Sequence, residues 1–148
     1  MKMKRMMMLA SIGVSSFSPA FAAEAVDMKL LGLEELEWEA TPEGVGFAPL
    51  KGDRFEEGYI AMVRLPAGLS SPLHVKSAAM SGVVLTGEIV HLAENIEGGS
   101  AKGLEAGAFY EIPAGIPHIS KCVSADDCLT FLVQDGPFDF LPVKEGGR

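Results

Sequence analysis

Short runs of apolar residues, many of them alternating with polar ones, follow one another along this chain and end at glycine or proline. The run 59–65 (YIAMVRL) stops at Pro66-Ala67-Gly68, and the run 80–85 (MSGVVL) stops at Thr86-Gly87. An alternation of period two is typical of β-strands, because successive side chains point to opposite faces. The pattern therefore predicts strands, and almost no segment has the 3.6-residue period of an amphipathic helix.

About ten strands predicted in this way make an all-β protein, either a double-sheet jelly roll or a closed antiparallel barrel. Thr86-Gly87 is interpreted as a two-residue hairpin turn, which pairs Leu85 with Glu88. The segments 117–123 and 128–134 are predicted to pair across an acidic loop. The predicted strands are 36–40, 45–50, 59–65, 73–76, 80–85, 88–93, 109–112, 117–123, 128–134 and 138–143.

The first 22 residues have the pattern of a secretory signal. A basic start (Lys2, Lys4, Arg5) is followed by an apolar run and by Ala20-Phe21-Ala22, a small-x-small cleavage pattern. The apolar run is too short to span the ~30 Å of a bilayer's hydrocarbon core. We expect cleavage after Ala22, a periplasmic or secreted protein, and one domain over 23–148; an amphipathic helix or an uncleaved anchor is the alternative.

The charge balance limits the partners. The chain has 12 basic and 20 acidic residues, which gives a net charge of −8. The charged residues of the predicted signal are all basic, so its removal makes the remaining domain more acidic. Such an acidic domain does not bind nucleic acid by neutralising phosphates. No other segment is apolar for long enough to cross a bilayer, so we expect neither nucleic acid nor membrane as a partner after signal removal.

The segment 68–87 carries a histidine at a fixed distance from its first glycine. Five residues separate Gly68 from His74, and six separate Met80 from Gly87. Lys76 follows His74 by two positions.

A second segment, 107–122, repeats this plan. Five residues separate Gly107 from Pro113, Gly115 completes a Pro-x-Gly turn, and His118 and Cys122 follow at short intervals. The spacings of both segments resemble the two motifs of the cupin superfamily, and the chain is similar to small exported cupins of poorly characterised function. The resemblance implies a small double-stranded β-helix, or jelly-roll, barrel that forms a homodimer.

Two of the four usual cupin metal ligands are replaced. Lys76 stands where the second histidine is usual, and Met80 stands where the glutamate is usual. The resemblance therefore transfers a metal role to His74 and His118 only.

His91 offers a third imidazole. In the predicted hairpin Gly82 faces His91, and opposed residues share a face, so His91 points inward. Each histidine on its own is equally well explained as a hydrogen-bonded core residue or a surface residue. Because all three converge, we predict a divalent metal site of His74, His91 and His118, with zinc or iron favoured.

Lys76 and Met80 are predicted to contact a ligand in the same cavity. A buried ammonium is repelled by a metal ion, so Lys76 either extends to the barrel mouth or recognises an anion such as a carboxylate without any metal. Met80 is either core filler or a soft ligand for copper.

Cys122 and Cys128 form a close pair in a chain predicted to be exported. A disulfide is the main interpretation, since the intervening loop places strand partners within bridging distance. A thiolate ligand or a redox-labile pair is the alternative.

These observations predict a periplasmic or secreted cupin that binds a divalent metal and a small organic ligand. The resemblance admits dioxygenase-like and isomerase-like chemistry, but no catalytic residue is identified and the question of enzyme activity stays open. The alternatives are a metal-free module that binds or senses an anionic small molecule, and a scaffold whose site has decayed.

Overall fold

A computed structural model describes residues 27–93 and 102–143. The predicted signal sequence, 1–22, lies outside the described residues. The chain divides into two compact units, 1–30 and 31–148, and the described part of the first, 27–30, has no regular secondary structure. Within the described ranges, no helix has the length and apolar character needed to cross a membrane.

The regular secondary structure in the described part of the second unit is almost entirely β-strand, as the sequence predicts. A single 3-10 turn, Leu33–Glu35, precedes them. The strands are β1 (Glu39–Ala40), β2 (Gly46–Lys51), β3 (Tyr59–Leu65), β4 (His74–Val75), β5 (Met80–Thr86), β6 (Ile89–Ala93), β7 (Phe109–Ile112), β8 (His118–Cys122), β9 (Cys128–Gln134) and β10 (Leu141–Pro142).

The strands form two antiparallel sheets. One has six strands in the order β1-β2-β3-β9-β5-β7, and the other has four in the order β10-β4-β8-β6. Alternation sets the inner face: in β3, Tyr59, Ala61, Val63 and Leu65 are buried, while the residues between them are partly exposed. The buried core contains residues of both sheets, so it lies between them.

The hairpin predicted at Thr86-Gly87 is wrong. β5 pairs with β7 and β9, whereas β6 pairs with β8 in the other sheet. Gly87 has a φ of 77°, and a Cβ there would lie 2.8 Å from the Cys128 sulfur, so the chain makes a tight corner between sheets. A glycine turn between two apolar runs has the same sequence pattern in a hairpin and in a corner between sheets. The pattern therefore did not distinguish a hairpin from a corner.

The predicted pairing of 117–123 with 128–134 is also wrong, because β8 and β9 belong to different sheets. The disulfide between Cys122 and Cys128 is confirmed, with a Cα–Cα distance of 5.8 Å. It joins the end of β8 to the start of β9 and therefore links the two sheets. The alternative role of Cys122 as a thiolate ligand is ruled out in this structure, since its sulfur is bonded to Cys128.

Candidate functional site

The three histidines lie on the inner face of the four-stranded sheet, grouped around β8. His74 is opposite His118 in the β4–β8 pair, and His91 is opposite Ser120 in the β6–β8 pair. Opposed residues share a face, and so do His118 and Ser120, which are two positions apart. His91 thus lies on the inner face as the sequence predicts, but its neighbour is β8 rather than β5.

The imidazole rings pack in a row. The ring centres of His74 and His118 are 4.3 Å apart, and those of His91 and His118 are 6.5 Å apart. The Phe140 ring stacks on that of His74 with ring centres 4.2 Å apart, and the Tyr110 ring centre lies 4.5 Å from that of His91. The cluster is therefore in contact with two aromatic rings besides its own imidazoles.

Hydrogen bonds donated by the Nδ1–H groups fix the tautomers of two rings. The Nδ1 of His74 lies 2.8 Å from the Pro72 carbonyl, and that of His118 lies 2.9 Å from the Ile116 carbonyl. A carbonyl only accepts, so each Nδ1 carries the proton and each neutral ring has an unprotonated Nε2.

The Nε2 atoms of His91 and His118 are buried and have no hydrogen-bond partner among the described residues. The Nδ1 of His91 lies 2.9 Å from the Ser120 hydroxyl, which also orients that ring. Buried polar atoms normally have a partner, and one without any is a candidate position for a ligand or an ion.

The histidines are held neutral by their surroundings. Burial is the main cause that lowers the pKa of His74 and of His91 to about 4, and the neighbouring His118 adds to it. Burial also lowers the pKa of His118. Neutral imidazoles are the form that binds metal ions.

The three histidines have the chemistry of ligands to a transition metal. Histidines that bind a metal hold their second ring nitrogen in a hydrogen bond, and the Nδ1 atoms of His74, His91 and His118 are all hydrogen-bonded. The donors do not form a complete coordination geometry. Among residues 27–93 and 102–143, no group of three or more His, Cys, Asp or Glu side chains is placed to hold a metal ion.

Lys76 is buried rather than extended to the surface, with 6% of its surface exposed. Its ammonium donates a hydrogen bond to the Asp139 carbonyl and lies 3.8 Å from the centre of the Phe138 ring. Burial lowers the pKa of Lys76 to about 8. The described residues provide no carboxylate within salt-bridge distance of this group.

His74, His91, Lys76 and Met80 line one cavity of about 540 Å³, a size typical of small-molecule sites. His118 is not part of its wall, although its ring contacts that of His74. The rest of the wall is largely apolar and rich in aromatic rings, including Phe47, Tyr59, Tyr110, Phe138 and Phe140.

Two features of this wall were missed by the sequence reasoning. Phe138 and Phe140 could have been predicted to line the cavity together. They alternate with Asp139 in a predicted strand, and this alternation places both rings on one face. Arg54 also lines the cavity but lies in a turn-like segment that gave no signal.

In metal-free protein the lowered pKa values of His74 and His91 predict a loss of stability in acid. The unfolded chain takes up these protons near pH 6.5, whereas the folded state resists until about pH 4. Between these values the unfolded state binds more protons, so stability falls as the pH falls. We expect a slope of roughly 1 kcal/mol per pH unit for each histidine, measured by urea denaturation of chelator-treated protein.

His91→Gln should reduce this slope, while Lys121→Gln, an exposed change on β8, should leave it unaltered. A free energy of unfolding that is constant from pH 6.5 to about pH 5 would contradict the assignment of buried, neutral histidines.

Comparison with known proteins identifies the family. Residues 26–139 match the ChrR cupin-like domain family. A search of curated proteins gives no match.

Solved structures with the same fold include both enzymes and regulators. The polyketide cyclase RemF from Streptomyces resistomycificus is 17% identical, with a TM-score of 0.64 over 81% of this chain and 88% of RemF. TT1209 from Thermus thermophilus is 23% identical, with a TM-score of 0.58 over 75% of this chain and all of TT1209 (100%).

A chain from the Rhodobacter sphaeroides complex of SigE with the anti-sigma ChrR is 19% identical, with a TM-score of 0.54. That match covers 70% of this chain and 51% of the other. At such identities the likeness shows the fold and not the activity. The family match and the barrel together show that this chain belongs to the ChrR cupin-like family within the cupin superfamily.

Proposed function

We propose that the protein binds one divalent transition metal through His74, His91 and His118 and holds a small organic ligand in the adjoining cavity. The observation that carries this proposal is the pair of buried Nε2 atoms, on His91 and His118, that have no partner among the described residues. Leaving such atoms buried and unpaired costs about 1–3 kcal/mol each, and a metal ion would remove that cost.

The metal proposal favours zinc or Fe(II). Three imidazoles without a carboxylate suit these borderline ions better than hard ions such as manganese. A bound ion would supply a Lewis acid next to the ligand. The Nδ1 hydrogen bonds of His74 and His118 would hold those rings with Nε2 available, and the aromatic neighbours would limit water at the site.

Whether this site catalyses a reaction is a separate question. Among the described residues that line the cavity, Glu43 is the one carboxylate. RemF is a polyketide cyclase and ChrR is an anti-sigma protein, so the fold accommodates both catalytic and non-catalytic proteins. We therefore propose a binding function and assign no catalytic residue.

Elemental analysis tests the metal site. Protein purified without chelator should contain about one equivalent of zinc or iron, and His91→Ala should lower the content to less than about half of that, because one ligand is lost. Lys121→Ala, an exposed change on β8, is the matched control and should retain the metal.

Less than about a tenth of an equivalent of any transition metal in the wild-type protein would refute the proposal. Unchanged metal content in His91→Ala would refute the three-histidine site alone.

Metal-free recognition of an anion is a second candidate function, and the buried ammonium of Lys76 favours it. A buried cation without an ion pair is unusual, and an anionic ligand would compensate its charge. The spacing of the three histidines, which does not form a complete metal site, agrees with this alternative.

If the second candidate is correct, small carboxylates should stabilise the chelator-treated protein. A ligand at about a hundred times its Kd adds about 2.7 kcal/mol to the free energy of unfolding. Lys76→Met should lose this effect, and Lys121→Met should keep it. The stabilisation is measured by thermal denaturation. Equal stabilisation of the wild type and of Lys76→Met would argue against a role for Lys76.

We further propose that the protein is exported and cleaved after Ala22. The basic and apolar pattern of the first 22 residues supports this, as does the Cys122–Cys128 disulfide, since disulfides persist in oxidising compartments.

Intact mass measurement of the protein isolated from its native cells tests export. The mass should correspond to a chain that begins at Ala23 and should lie about 2 Da below that of the reduced form. A full-length chain with two free thiols would contradict both export and the oxidised pair.

A further inference from the structure

Arg54 places a second cation at the cavity, in the midst of three phenylalanine rings. Its guanidinium carbon lies 4.9 Å from the centre of the Phe47 ring, 4.2 Å from that of Phe55 and 5.3 Å from that of Phe138. Its backbone carbonyl also accepts a hydrogen bond from the Phe138 N–H. Arg54 is thus held in place from several sides, and it lines the cavity.

The hydrogen-bonding capacity of this guanidinium is largely unused. A guanidinium has five N–H donors. In the described part of the chain its one hydrogen-bond partner is the Glu39 carboxylate, at 2.9 Å. The Glu39 side chain is 57% exposed, whereas that of Arg54 is only 12% exposed. Because the carboxylate of this ion pair faces solvent, water competes for it, and a ligand carboxylate in the cavity can compete with Glu39 for Arg54.

Lys76 lies near the same aromatic ring as Arg54. The ammonium is 3.8 Å and the guanidinium carbon 5.3 Å from the centre of Phe138. In a chain with a net charge of −8, this end of the cavity therefore concentrates two positive charges. The surrounding wall is aromatic, since Phe47 and Phe138 pack edge to face with ring centres 5.3 Å apart.

We propose that this end of the cavity binds the carboxylate of an aromatic acid between Arg54 and Lys76, with the aromatic body against Phe47 and Phe138. Guanidinium groups bind carboxylates through paired hydrogen bonds, and ring contacts add to the apolar burial. The proposal rests on the proposed function in one respect, that the cavity holds a small organic ligand, and it requires no metal. It identifies Arg54 as a residue that determines ligand class.

Isothermal titration with 3-phenylpropanoate tests the proposal, with 3-phenylpropanamide as the neutral analogue of the same shape. The carboxylate should bind the wild-type protein at least about tenfold more tightly than the amide, because only the charged group engages both cations. Hexanoate, which has no ring, should bind more weakly than 3-phenylpropanoate.

Arg54→Gln should weaken carboxylate binding by at least about tenfold while amide binding changes little. Arg64→Gln is the matched control, because Arg64 lies over the Trp38 ring and does not line the cavity. Glu39→Gln, an exposed change that does not disturb the core, should tighten binding about two- to threefold by removing the competing carboxylate.

Several outcomes would overturn the inference: no binding of 3-phenylpropanoate, equal affinities for acid and amide, or carboxylate affinity maintained in Arg54→Gln. If Arg54→Gln fails to fold, a tenfold loss of affinity in Glu39→Gln would overturn it instead. Equal binding of hexanoate would refute the aromatic part.

Titrations with chelator and with added zinc or Fe(II) separate this inference from the proposed metal site. Carboxylate binding that needs Arg54, in protein that takes up neither zinc nor Fe(II), would refute the metal site and support the inference. Zinc uptake that needs His91, in protein whose carboxylate affinity does not depend on Arg54, would support the metal site and refute the inference.

Discussion

The register of β8 between β4 and β6 is the constraint on which the candidate site depends. It sets His118 opposite His74, Ser120 opposite His91, and Cys122 opposite Ile89. Because side chains alternate, a shift of β8 by one residue would turn His118, Ser120 and Cys122 to the outer face, away from their partners. The disulfide at the end of β8 ties the strand to β9 of the other sheet, and so restrains the register where β8 leaves the sheet.

The segment 138–140 joins the two ends of the cavity. Phe140 stacks on His74, and Phe138 lies beside Lys76. Between them, the Asp139 carbonyl accepts the hydrogen bond of the Lys76 ammonium, and the following strand β10 pairs with β4. A displacement of this segment would therefore disturb the imidazole end and the cationic end together, so binding at one end is expected to influence the other.

The sequence predicted the class of fold, and β3 and β7 begin and end at the predicted residues. The strand pairing that it predicted at Gly87 is wrong, because a glycine corner has the same local pattern in a hairpin and in a change of sheet. His91 was placed on the inner face through its predicted pairing with Gly82. That pairing is wrong, yet His91 does lie on the inner face, because it is opposite Ser120 of β8. Arg54 could not be found this way, since its place at the cavity depends on contacts with Phe47 of β2 and with Phe138, which lies far away in the sequence.

The replacement of a usual cupin ligand by Lys76 becomes intelligible if the ligand is an anion. A metal ion at the histidines and an ammonium two residues from His74 would repel each other in a cavity of low polarity. A carboxylate between Arg54 and Lys76 would offset that repulsion and would also compensate the buried charge of Lys76. Metal and anionic ligand would then each favour the binding of the other, so the two candidate functions are not exclusive. The repulsion from Lys76 that disfavours the metal in the free protein would be offset once the ligand is bound.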